Sequence, residues 1–270
     1  MGIAPVVAFF VTLVGCLVLG RPLLRLLRTA SAKQTAYEDA PQSHRSKTGT
    51  PTMGGLLFLV APIVALSFAP TRTNLALAFL VGACALIGAV DDTLGIRSGK
   101  NRGLRARTKF LLTAVAGGLF IWMLLDEPAF ASPAILGLGQ PGTLVFALLS
   151  LAAIVATTHA VNLTDGLDGL ASGAVVPPLA VVAYVAFAQD KPDVGTFELT
   201  FCGAALAFLT YNVHPAKMFM GDTGSLALGA ALAGGAVVTG TQLLLLVIGG
   251  VFAAETLSVI VQVASYKMTK

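Results

Sequence analysis

Apolar residues form nine blocks along the chain, and short polar segments separate them. The blocks cover residues 3–20, 52–68, 75–90, 110–125, 144–161, 167–188, 197–209, 224–238 and 243–264. Within a block the apolar residues are nearly continuous instead of forming an amphipathic stripe, which favours a lipid environment. Only helices and closed barrels can span lipid, and these blocks do not alternate as barrel strands would. The pattern therefore predicts a bundle of nine transmembrane helices.

The composition supports the same fold class. Hydrophobic residues make up 56% of the chain and charged residues 11%, and the mean hydropathy is +0.85. Soluble domains carry roughly 25% charged residues, so these charges are too few to cover a water-exposed surface. We predict an all-α polytopic membrane protein and treat residues 1–270 as one transmembrane domain.

The basic residues predict the orientation of the bundle. If nine helices are threaded with the N-terminus outside, 15 of the 17 lysines and arginines lie on the inner side. Only Arg72 and Lys191 then lie outside. Because inner loops of membrane proteins are enriched in basic residues, we expect an outer N-terminus and an inner C-terminus.

Clusters of polar residues all fall on that inner face. They comprise residues 47–55, Asp91 with Asp92, residues 162–169, and Asn212 with residues 219–225. Some have a purely structural interpretation, since Asp222, Thr223 and Ser225 could cap the helix that they begin. The pair Asp91 and Asp92 is different, because carboxylates at a helix C-terminus oppose the helix dipole.

The clusters together predict metal-assisted chemistry on a phosphate at the inner membrane surface. Magnesium takes carboxylate, water and phosphate oxygens as ligands. Phosphoryl transfer asks the protein mainly for positioning and for neutralisation of charge. Glycines beside the acids let the backbone approach a ligand closely, and basic residues at the interface would attract an anionic lipid headgroup.

At these residues the chain resembles bacterial phospho-N-acetylmuramoyl-pentapeptide transferases. The motifs are KTGTPTMGG (47–55), VDD (90–92), NLTDGLDGLASG (162–173), FMGDTGSLALG (219–229) and ETLSVIVQVAS (255–265). The resemblance implies transfer of phospho-N-acetylmuramoyl-pentapeptide from its UDP carrier to undecaprenyl phosphate, which gives lipid I and UMP in peptidoglycan synthesis. It further implies a Mg²⁺-dependent enzyme in the bacterial inner membrane with a cytoplasmic active site. A homodimer would fit this family, and no nucleic-acid partner is expected.

The resemblance also implies roles for single residues. The catalytic residues would be Asp91, Asp92 and Asp222, with Asp222 as the magnesium ligand and one member of the pair removing a proton from the polyprenyl phosphate. Phe219 would stack on uracil, and Lys109 is a weaker candidate for contact with a phosphate. Glu255 is a candidate functional or paired residue, because a carboxylate inside a membrane helix is costly. The substrate-binding residues would be Lys47, Thr52, Asn162, Asp165, Asp168, Asn212, Phe219, Gly221 and Ser225.

Two features depart from the family pattern. Gly95 stands where a lysine is usual, and the chain stops at Lys270, where a histidine-rich loop and a tenth helix would follow.

One alternative function is therefore a shortened form that binds substrate without turnover. A second is a sibling transferase for UDP-N-acetylglucosamine, which the motifs TPTMGG and NLTDGLDG disfavour. A third is a transporter, but transporters place ionisable groups near the bilayer midplane, and here almost all charges lie at helix ends.

Overall fold

The computed structural model describes residues 2–30, 49–98, 103–126 and 142–268, and the regular elements in these ranges are helices. They are α1 (Ile3–Thr29), a 3-10 helix (Gly54–Leu59) that continues into α2 (Val60–Phe68), α3 (Arg72–Ser98), α4 (Ala106–Leu124), α5 (Thr143–Thr164), α6 (Leu170–Ala174), α7 (Val176–Ala188), α8 (Pro192–Asn212), α9 (Gly221–Val238), α10 (Leu245–Ile248) and α11 (Gly250–Met268).

Seven helical segments in the described residues are long and apolar enough to cross a membrane. They are α1, α3, α4, α5, the segment Leu170–Ala188, α8 and α9. This confirms the predicted all-α, multi-pass membrane fold. The count of nine helices and the outer N-terminus stay predictions. The block at 52–68 is the shorter apolar segment Gly54–Phe68, and the block at 243–264 is divided between α10 and α11.

Helix α9 is the central helix of the bundle, with 89% of its sequence buried. Its residues are mostly glycine, alanine and leucine, so neighbouring backbones come very close to it. A Cβ added at Gly224 would overlap Gly55, and a Cβ added at Gly229 would lie 2.6 Å from the Cα of Thr158. Small residues at such contacts are the usual means by which helices associate in membranes, where packing replaces the hydrophobic effect.

The C-terminal end of α9 is held by side chains from the loop between α7 and α8. Gln189 donates from Nε2 to the carbonyl of Thr239 at 2.9 Å, and Lys191 donates from Nζ to the carbonyl of Val238 at 2.6 Å. A cation at this end of a helix complements the helix dipole. Burial lowers the pKa of the Lys191 ammonium, and the charge of Asp193 opposes part of that shift.

The packing of α9 predicts different effects on stability for two glycine-to-alanine substitutions. Gly229→Ala should lower the unfolding temperature in detergent, because its methyl group meets the backbone of α5 and overpacking costs about 1–3 kcal/mol. Gly118→Ala on α4 is the matched control, since a Cβ there has no atom within 4 Å. Equal unfolding temperatures for the two variants, measured by thermal denaturation, would contradict the close packing of α9.

Candidate active site

Three carboxylates from two helices form the candidate active site. Asp91 and Asp92 lie near the end of α3, and Asp222 lies in the first turn of α9. One oxygen from each carboxylate lies within 4.8 Å of the other two. The structure therefore brings together the three residues that the sequence predicts to be catalytic.

Asp92 caps the N-terminus of α9 from a neighbouring helix. Its Oδ1 accepts the backbone N–H of Asp222 at 3.0 Å. Its Oδ2 accepts the backbone N–H of Thr223 at 3.0 Å and the hydroxyl of the same residue at 2.6 Å. The first N–H groups of a helix have no partner inside the helix, and a negative charge there also complements the helix dipole. The cap therefore comes from α3, and the N-cap residue of α9, Met220, makes no capping side-chain bond.

Close contact between α3 and α9 makes this cap possible. A Cβ added at Gly88, one turn before Asp92, would overlap the backbone of Asp222. Any larger residue at position 88 would therefore separate the two helices. The sequence predicted Asp91 and Asp92 at the C-terminus of their helix, but α3 continues to Ser98. The two acids therefore lie before the last turn, in which the helix dipole would oppose them.

Lys109 of α4 lies between the other two carboxylates. Its ammonium pairs with Asp91 Oδ1 at 3.2 Å and donates a hydrogen bond to Asp222 Oδ2. The side chains of Lys109, Asp91 and Asp222 are 17%, 15% and 22% exposed, so this part of the site is open to solvent or a ligand. Asp91 Oδ1 also accepts the backbone N–H of Leu104 at 2.7 Å. The sequence indicated Lys109 only as a weaker candidate for phosphate contact, whereas the structure places it in the centre of the acidic group.

Asn162, in the last turn of α5, holds the second oxygen of Asp222. Its Nδ2 donates to Asp222 Oδ1 at 2.9 Å and to Ser225 Oγ at 2.8 Å. Ser225 is fully buried and its hydroxyl donates in turn to the carbonyl of Gly221 at 3.1 Å. The two oxygens of Asp222 are thus fixed by two different helices.

The segment that begins the second apolar block joins the same site. Pro51 accepts the backbone N–H of Phe219 at 2.8 Å, and Gly54 donates its N–H to the carbonyl of Phe219 at 2.9 Å. Gly221 has a φ of +68°, and a Cβ there would lie 2.5 Å from Asp92 Oδ2 and 2.7 Å from Thr52 Oγ1. A glycine is therefore required where this segment meets α9. Lys47 lies outside the described residues.

Asn212 and Asp168 tie the neighbouring loops together. Asn212 is 1% exposed and accepts the N–H of Gly169 at 3.0 Å and the hydroxyl of Ser172 at 3.1 Å. Its Nδ2 donates to the carbonyl of Met218 at 3.1 Å. Asp168 Oδ2 accepts the N–H of Ala216 at 3.1 Å and pairs with the exposed ring of His214 at 3.1 Å.

The remaining predicted residues lie around this framework. Asp165 and Asp168 lie in the turn between α5 and α6, because α5 ends at Thr164. Phe219 is half-buried beside the start of α9, and Glu255 is half-buried on α11. Gly95 lies in the final turns of α3, with open space where a side chain would project.

Two residues without a predicted role have unusual surroundings. His159 of α5 stacks on Phe110 of α4, with ring centroids 4.4 Å apart and an angle of 7° between the planes. Glu198 of α8 is fully buried against Gly235, and neither of its oxygens has a hydrogen-bond partner in the part of the chain that the structure describes. The sequence carries a signal for Glu198, because it is a lone glutamate within the apolar helix α8 and ionisable groups inside membranes are costly.

The three carboxylates have the donor chemistry of a hard-cation site. Carboxylate oxygens are the ligands preferred by such ions. Asp91 and Asp222 are partly exposed, and the ammonium of Lys109 lies beside them. Asp92 accepts three hydrogen bonds from the first turn of α9. Asp91 and Asp222 are the residues of this group best placed to hold a cation, because both are partly exposed and face the same ammonium.

Comparison with known proteins relates the site to one family. Residues 74–240 match the family model of glycosyl transferase family 4, and residues 47–59 match phospho-N-acetylmuramoyl-pentapeptide-transferase signature 1. The phospho-N-acetylmuramoyl-pentapeptide-transferase of Moorella thermoacetica is 42% identical over 94% of this chain and 81% of its own length. That of Rubrobacter xylanophilus is 41% identical over 98% and 82%, and that of Geobacillus thermodenitrificans is 39% identical over 99% and 84%.

The cap on α9 predicts different effects for the two adjacent acids on stability. Asp92→Asn should lower the unfolding temperature in detergent, because an amide has a single acceptor oxygen and no charge for the helix N-terminus. Loss of a helix cap costs about 0.5–2 kcal/mol. Asp91→Asn is the comparison variant and should lower the unfolding temperature less, because the amide oxygen can still accept the single backbone N–H, that of Leu104, which Asp91 binds. A wild-type unfolding temperature for Asp92→Asn would show that Asp92 is not the cap.

Proposed function

The chain belongs to the phospho-N-acetylmuramoyl-pentapeptide-transferase family, and on that premise we propose that it makes lipid I. In this reaction phospho-N-acetylmuramoyl-pentapeptide passes from its UDP carrier to undecaprenyl phosphate. A phosphate oxygen of the lipid forms a bond to the phosphorus next to the sugar, the diphosphate bond breaks, and UMP leaves. The observation that carries the proposal is the acidic group at the start of α9, in which Asp222 is held by Lys109 and Asn162.

Asp222 is proposed as the ligand of a magnesium ion. When bound, that ion would neutralise charge on the diphosphate, which is the main demand of phosphoryl transfer. Lys109 and Asn162 each bind one carboxylate oxygen of Asp222, so its orientation is fixed before a substrate arrives. The ammonium of Lys109 adds a second positive charge next to the position of the reacting phosphates.

The two adjacent acids have different proposed roles. Both oxygens of Asp92 accept hydrogen bonds from the first turn of α9, so Asp92 positions Asp222. Asp91 receives its hydrogen bonds at Oδ1, from Leu104 and Lys109, and its Oδ2 has none from the described residues. Asp91 is therefore the group that would accept the proton of the polyprenyl phosphate. Loss of that proton leaves the phosphate oxygen more nucleophilic.

The nucleotide is proposed to bind beside this group, along the loops that follow α5 and α8. Phe219 would stack on uracil, and Asp165, Gly221 and Thr52 would line the pocket, with Lys47 on its opposite wall. Asn212 and Asp168 would act by holding these loops in place, because their side chains already bind backbone groups of the loops. Asn162 and Ser225 would connect the nucleotide side to Asp222.

The cellular setting is part of the same proposal. We place the protein in the bacterial inner membrane as a single domain, with the N-terminus outside and the active site at the cytoplasmic face. The predicted excess of inner basic residues supports this orientation. A homodimer is the proposed assembly. The match of residues 47–59 to a signature of muramoyl-pentapeptide transferases favours the muramoyl nucleotide over UDP-N-acetylglucosamine as the substrate.

Release of UMP in detergent tests these assignments. With magnesium, undecaprenyl phosphate and UDP-N-acetylmuramoyl-pentapeptide, the wild-type enzyme should release UMP, and Asp222→Ala should abolish the magnesium-dependent release. Asp91→Asn should lower kcat by about 10²–10⁴-fold, the usual contribution of a general base. Asp190→Asn, an exposed acid in the loop between α7 and α8, is the control and should keep the wild-type rate.

Two results would contradict the assignments separately. Substantial magnesium-dependent turnover by Asp222→Ala would remove the metal role of this residue. A wild-type kcat for Asp91→Asn would remove its role as proton acceptor while leaving the metal assignment intact. Nucleotide binding without turnover in the wild-type chain would favour the form that binds but does not react.

A further inference from the structure

The inner ends of α4 and α5 each hold one oxygen of Asp222. Lys109, in the first turn of α4, binds Oδ2, and Asn162, in the last turn of α5, binds Oδ1. The relative position of these two helix ends therefore determines whether both donors reach the same carboxylate. A feature that fixes the two ends against each other would control the geometry of the site.

The stacked rings of Phe110 and His159 join the two helix ends. Phe110 directly follows Lys109 in the sequence, and His159 lies three residues before Asn162, on the same side of α5. The rings are nearly parallel, with an angle of 7° and a centroid distance of 4.4 Å. Farther along the same interface, a Cβ added at Gly117 would lie 3.0 Å from Leu151, so the helices are also close there.

A hydrogen bond at Nε2 does not explain why His159 is placed there, because this atom is buried and has no partner in the described part of the chain. The charges of Lys109 and Asp222 act on the ring from nearby. The direct contact that the structure shows for the ring is the parallel stack with Phe110. Aromatic faces in contact add to the attraction that comes from burial alone.

We propose that His159 is a positioning residue of the transferase reaction. Its stack on Phe110 fixes the start of α4 against the end of α5, so that Lys109 and Asn162 bind the two oxygens of Asp222 at the same time. The inference rests on the proposed function for its catalytic consequence. The stack itself and its effect on the Lys109 ion pairs do not depend on which substrate the enzyme uses.

Kinetics of three variants test the positioning role. His159→Ala and Phe110→Ala should each lower kcat by about 10–10²-fold, since a displacement of about 1 Å in a catalytic group can cost 10²-fold, while KM for the nucleotide changes little. His159→Phe keeps a stacking ring without nitrogens and should restore most of the wild-type kcat. Leu112→Ala is the control, because Leu112 is an exposed residue of α4 two positions from Phe110.

A stability measurement tests the stack even if the enzyme is inactive. Lys109→Met should lower the unfolding temperature of the wild-type and His159→Phe proteins by similar amounts, and that of His159→Ala by less, because the ion pairs are already weakened there. Equal effects of Lys109→Met in all three backgrounds would overturn the proposal. So would a wild-type kcat for His159→Ala, or a His159→Phe variant as slow as His159→Ala. If the wild-type protein turned over no nucleotide, the proposed function would fail, and the stability cycle would still decide the role of the stack.

Discussion

The carboxylate of Asp92 at the N-terminus of α9 is the interaction on which the site depends. It binds the N–H groups of Asp222 and Thr223, so it fixes the backbone from which the proposed metal ligand projects. A buried helix end without such a partner would leave its first N–H groups unsatisfied, which is costly where no water can replace the bond. At the other end of α9, Gln189 and Lys191 bind the last carbonyls. The central helix is thus held at both ends by its neighbours.

Burial of α9 explains its composition and the position of the site. A helix that is buried on all sides must let several backbones approach it, and small residues such as glycine and alanine permit this closeness. Gly88 on α3 and Gly221 on α9 bring the acids of both helices together, since a Cβ at either position would collide with the other helix or its carboxylate. The carboxylates lie where α9 begins, because helix N–H groups, the amide of Asn162 and the ammonium of Lys109 can bind them there.

The sequence predicted the fold class and the acidic group but not how the acids are held. Apolar blocks and clustered carboxylates are local signals, so the membrane fold and the position of the acids on one membrane face could be predicted from them. The grouping of Asp91, Asp92 and Asp222 as catalytic residues came from the family resemblance. The possible caps that the sequence offered for α9 were residues of the helix itself, because capping rules consider neighbours in sequence, whereas the structure supplies Asp92 from α3. The central position of Lys109 also depends on contacts between distant segments. The block at 243–264 was predicted as one helix, whereas the structure divides it between α10 and α11. This break also depends on more than the local apolar pattern.

Transfer of a muramoyl-pentapeptide phosphate to a prenyl lipid is the reaction proposed for this acidic group. The most direct measurement offers the protein undecaprenyl phosphate with equal concentrations of UDP-N-acetylmuramoyl-pentapeptide and UDP-N-acetylglucosamine, and identifies the lipid product by mass spectrometry. We expect a product that carries the muramoyl-pentapeptide and none that carries N-acetylglucosamine alone. Formation of the N-acetylglucosamine lipid in its place would contradict the proposed reaction.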